Sequence, residues 1–61
     1  MTVKTIFGNI TASKDVLNEL SIYASEASKE YERKGYFALQ ERAQEVANTI
    51  FNELDKTGFY K

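Results

Sequence analysis

The sequence predicts an all-α fold: an antiparallel two-helix hairpin with a short N-terminal extended arm or strand. Three observations predict it. Two stretches of similar length carry apolar residues at helical spacing, the charged turn Glu32-Arg33-Lys34-Gly35-Tyr36 separates them, and the residues before the first stretch are rich in β-branched and aromatic side chains. The 61 residues form one domain, with an arm over 1–10, a first helix over 13–34, a second helix over 36–57 and a tail over 58–61.

In the arm, Thr2-Val3-Lys4-Thr5-Ile6-Phe7 reads as a short strand that ends at the turn dipeptide Gly8-Asn9. No second strand of comparable strength is evident. A lone strand leaves its amides and carbonyls unpaired, so it must pair with its own copy, with a partner's sheet edge, or with nothing, Ile6, Phe7 and Ile10 then tucking against the helices.

Thr11-Ala12-Ser13 opens the first helix. Ser13 is the preferred cap, and Asp15 and Glu19 complement the positive end of the helix dipole. Leu17, Leu20, Ala24, Ala27 and Tyr31 follow at steps of three and four, widened by Val16 and Tyr23. Cations at Lys29, Arg33 and Lys34 suit the last turn, and Gly35 can take the left-handed conformation that ends it.

The second helix carries Leu39, Ala43, Val46, Ala47, Ile50 and Leu54 at the same spacing. Ala24 and Ala27 on one stripe and Ala43 and Ala47 on the other lie near mid-helix, so antiparallel pairing brings small side chains together and lets the backbones approach closely. Gly58 stops this helix as Gly35 stops the first. The tail Phe59-Tyr60 returns toward Ile6, Phe7 and Ile10, and these five are expected to form a second small cluster.

A chain this short buries only about 60% of its unfolded surface, and small domains commonly add disulfides, a metal or a second subunit. With no Cys and no His, the first route and the usual zinc sites are closed, which leaves self-association. A homodimer in a four-helix arrangement is therefore expected. The net charge of −1, from 8 Lys+Arg against 9 Asp+Glu, gives no sign of a nucleic-acid binder. No apolar run approaches a membrane span of about 18 residues, and no signal-peptide core follows Met1-Thr2-Val3-Lys4, so a cytoplasmic protein is expected.

The inventory for catalysis is poor. General acid–base work at neutral pH most often uses His, and nucleophilic catalysis needs an activated Ser, Cys, Thr or Lys beside a base. Ser21, Ser25 and Ser28 border the first stripe and read as small packing and solvated surface. Glu41 and Glu45, at i and i+4, read as a wet helix face rather than a metal grip, and the three glycines form no phosphate-cradling loop. No enzyme activity, metal or cofactor is expected.

Residues that break the pattern point to binding. Ile22 lies about 160° from the centre of its stripe at 100° per residue, and Phe37 and Phe51 sit to one flank of the second helix. With Ile6, Phe7 and Tyr36 they form the expected protein interface, since aromatic anchors are favoured in interfaces. The charged tip of Lys29, Glu30, Glu32, Arg33, Lys34 and Arg42 reads as solvated, with pairs such as Glu30 and Lys34.

In its order of elements, a strand followed by two helices, the chain resembles the ribbon-helix-helix repressors, whose paired strands from two subunits enter the major groove. The resemblance implies Thr2 to Phe7 as the ribbon, with Thr2, Lys4 and Ile6, or the opposite face of the strand, reaching bases. The strand departs from that pattern in offering mainly Thr and apolar side chains, the first helix is a turn or two longer, and the turn lacks the compact Gly-x-Ser-Arg-Ser type of connection. The expected function is a small protein-interaction module, a regulator or inhibitor that occludes a larger partner, with a dimeric DNA-binding regulator as the alternative. Its size would suit a phage or plasmid origin.

Overall fold

The arm is not a single strand. In the computed structural model, which describes residues 1–61, β1 (Thr2–Thr5) turns back into β2 (Gly8–Thr11) before α1 (Lys14–Lys34) and α2 (Phe37–Lys56). The strands are antiparallel, with Thr2 opposite Thr11, Val3 opposite Ile10, Lys4 opposite Asn9 and Thr5 opposite Gly8. The all-α expectation is corrected to a mostly helical chain that carries a two-stranded sheet.

The physical reason lies in the turn. Gly8-Asn9 is the start of β2, and the chain reverses at Ile6-Phe7, which carries no turn residue. Thr5 supplies the missing chemistry: the Phe7 amide donates to its Oγ1 at 3.1 Å, and that hydroxyl donates to the Gly8 carbonyl at 2.8 Å. Gly8 follows at φ 107°, the left-handed residue that short hairpin loops place beside the turn. Thr2 and Thr11 share a hydroxyl hydrogen bond of 2.8 Å on the outer face, and Ala12 and Met1 exchange main-chain bonds of 3.0 and 3.1 Å beyond it.

The helices form where the sequence places them. Ser13 caps α1, its Oγ accepting from the Val16 amide at 3.3 Å, with Asp15 in the first turn. Gly35 sits at φ 83° and donates to the Glu32 carbonyl while Tyr36 donates to Tyr31 at 2.8 Å, the paired bonds of a Schellman motif. α2 ends the same way, with Gly58 at φ 79° donating to Asp55 and Phe59 to Leu54.

The core sits at the open end of the helix pair. Val3 from β1, Leu17 from α1, and Ile50 and Leu54 from α2 are buried together, with Ile10, Ala12, Val46 and Phe59 packed around them. Strand alternation brings Val3 inward with Thr5, leaving Thr2 and Lys4 outside. Toward the helix turn the inward residues become small. Ser21, Ser28 and Ala47 are buried, and Ala24 and Ala43 are half-buried.

The inward seam of α1 is therefore Leu17, Ser21, Ala24, Ser28 and Tyr31, spaced 4-3-4-3, and not the expected stripe through Leu20 and Ala27. It is rotated by about 40° at 100° per residue. Close helix approach favours the small hydroxyls, and it leaves Leu20 exposed.

The expected cluster of five also divides. Ile10 and Phe59 join the core, whereas the β-turn carries Ile6 and Phe7 away from it, and Tyr60 lays its ring near Phe51 with centroids 6.0 Å apart. No helix is long and apolar enough to cross a membrane.

Candidate functional site

Rotation of α1 leaves a second apolar line on the same helix. Val16, Leu20, Tyr23 and Ala27 repeat at 4-3-4 beside the buried seam; the first three are exposed and Ala27 is half-buried. The line runs into a groove of about 240 Å³ lined by Phe7, Ala27, Tyr31, Leu39, Arg42 and Ala43. Ala27 belongs to both, so line and groove are one continuous apolar track. Phe7, at 71% exposure, stands at the mouth because β1 starts against Ile50 and Leu54 at the open end and the β-turn reaches the half of the helix pair nearer their connection.

The groove falls below the roughly 300 Å³ of ordinary small-molecule sites and is open, a shape that fits an inserted side chain. Arg42 is its one charged lining residue and has no ion-pair partner within 4 Å.

The charges that flank the track are acidic. Of the carboxylates Asp15, Glu19 and Glu26, the last two flank the line at 100° per residue, whereas Asp15 falls beside Ile22, and the cations Lys14 and Lys29 lie across the helix from the line. None of the three is in an ion pair, the two pairs present being Arg33 with Glu30 and Lys56 with Glu53, both on exposed surface. Glu30 therefore pairs with Arg33 rather than Lys34.

The residues expected at the interface separate into distinct places. Ile22 is 41% exposed on the side of α1 away from the core, and Phe37 is 63% exposed at the start of α2, with Tyr36 exposed beside it. Ile6 and Phe7 are exposed together at the β-turn. Phe51 is half-buried and committed to an intramolecular contact: Tyr60 bridges it and Phe59, and the Tyr60 hydroxyl donates to Asn18 Oδ1 at 2.9 Å.

Val16, Leu20, Tyr23 and Leu39 were not expected at the surface, because the period of the sequence assigns them to the core. The signal that separates them is the duplicated 3-4 spacing, whose second line holds the serines that can enter a tight helix interface.

Thr2 and Lys4 share the outer face of the hairpin with Asn9 and Thr11, whereas Ile6 is in the turn. The strand that the ribbon reading draws from a second subunit is here β2 of the same chain. Of the seryl cluster, Ser21 donates to the Asn18 carbonyl at 2.7 Å and Ser28 to the Gln40 carbonyl at 3.2 Å, so both hydroxyls are satisfied structural groups. No three acidic side chains converge as a metal cradle. In comparisons with known proteins, no family model, no curated protein and no solved structure matches the chain.

Proposed function

We propose that this protein is a small non-enzymatic binding module that works by covering part of a larger protein's surface, as a regulator or inhibitor. The observation that carries the reading is the continuous track from Val16 through Leu20 and Tyr23 into the groove under Phe7. It is a line of large apolar side chains at helical spacing that the chain itself leaves uncovered. Scattered surface hydrophobes need no explanation, but a contiguous line ending in a groove is the form that binding surfaces take.

The test is capture from a lysate of the native host with the wild-type chain and with Leu20→Asp as bait. A specific protein retained by the first and lost by the second supports the reading; no protein retained at any surface of the wild type sinks it.

Self-association into a four-helix dimer is a second reading. It is favoured by the size of the core, four large buried apolar side chains beside a larger number of exposed ones. Light scattering over a concentration series decides it: a mass of twice the chain supports the dimer, and a constant monomer mass removes it.

A further inference from the structure

The track on α1 has an electrostatic character that limits what can cover it. A second copy laid antiparallel on this line about a two-fold axis sets the same flank of each helix side by side, so Glu19 and Glu26 of one chain face carboxylates of the other. Like charges set opposite each other across an interface select against that partner. Glu19 and Glu26 instead complement Lys and Arg, and the unpaired Arg42 limits those cations to the track, away from the groove.

The track from Val16 to Tyr31 is about 22 Å long at the helical rise, and the 4-3-4 steps from Val16 to Ala27 match the apolar repeat of a second helix. We propose that the occupant is a basic amphipathic helix of another protein. Its apolar stripe lies along Val16, Leu20 and Tyr23, one apolar side chain enters the groove between Phe7, Ala27 and Leu39, and its cations face Glu19 and Glu26. This inference rests on the binding-module reading and names the partner's chemistry.

The experiment uses two synthetic helices of about four turns, long enough for the track. One is built of leucine and lysine, and its twin carries glutamate at every lysine position. Each is titrated into the isotopically labelled full chain and followed by amide NMR shifts. The lysine helix is expected to shift amides from Val16 to Tyr31 and around Phe7, and the twin is expected to leave them unmoved.

Leu20→Asp, at a surface position, should keep the helical circular dichroism and abolish the shifts. Glu19→Lys with Glu26→Lys should weaken the lysine helix roughly tenfold and pass the preference to the twin. Equal binding of both helices, binding of neither, or shifts centred on Ile22 and Phe37 overturn the proposal. So does a wild-type dimer that Leu20→Asp dissociates, which would make the second copy the occupant. A host protein still captured while the track takes no helix removes only this site; loss of both removes the binding module as well.

Discussion

Ser28 Oγ donates to the main-chain carbonyl of Gln40 at 3.2 Å, and no other side-chain hydrogen bond joins α1 to α2. The bond is a measure of how close the two backbones come. A hydroxyl on a one-carbon arm reaches the opposite helix only where the interface is built of small residues, here Ser21, Ala24, Ser28, Ala43 and Ala47.

Ser28→Ala should therefore be mild, about 1 kcal/mol or less, because the shape is kept and one modest hydrogen bond is lost. Ser28→Leu should cost about 1–3 kcal/mol, since added methylenes must push the helices apart at a buried position. Urea unfolding of the two variants separates these effects, and a leucine variant as stable as the alanine one would contradict the tight seam.

Gly35 holds the turn between the helices at φ 83°, with open space where a Cβ would lie. The cost of Gly35→Ala is then conformational rather than steric, about 1 kcal/mol. Gly35→Asn should cost less, because asparagine tolerates the left-handed region better. Equal thermal midpoints for the wild type and the alanine variant would refute the argument.

Ile22 and Phe51, grouped together by the sequence, should respond differently to the same change. Ile22→Asp falls on exposed surface and should leave unfolding within about 0.5 kcal/mol of the wild type. Phe51→Asp removes a half-buried ring from its place against Tyr60 and should lower stability by well over 1 kcal/mol. Denaturant midpoints of the two variants, measured side by side, check the difference.

Nucleic-acid binding is expected to be absent. The outer face of the hairpin holds Lys4 among Thr2, Asn9 and Thr11, one cation where phosphate contact needs several. The chain should pass through immobilised duplex DNA at low salt, where phosphate attraction is strongest. Retention that Lys4→Ala weakens would restore the ribbon reading.

Most of the helical architecture was legible because its signals are local. Ser13 as cap, Gly35 and Gly58 as left-handed stops, and the two helix spans all depend on residues within a turn of one another. The β-hairpin was hidden because its turn, Ile6-Phe7, carries no turn chemistry of its own and borrows it from Thr5. The surface track was hidden for a different reason. Hydrophobicity ranks Leu20 above Ser21, but in a close helix pair volume decides which one faces inward, and the two rankings disagree at that position. Ile22, whose exposure follows from period alone, was placed correctly on the surface; Phe51 was not separable from it without knowing where the tail returns.

Val3 shares one cluster with Leu54, although nearly the whole chain lies between them. The β-hairpin and the single helices draw on neighbouring residues and can form in microseconds, whereas closing the largest loop carries the greatest entropic cost. Docking of the β-hairpin on α2 is then expected to come last in folding and to be undone first. Val3→Ala should leave the refolding limb of a stopped-flow chevron almost unmoved and raise the unfolding limb. The residue near the start of the chain would thus set how long the finished molecule lasts, with little influence on how quickly it is made.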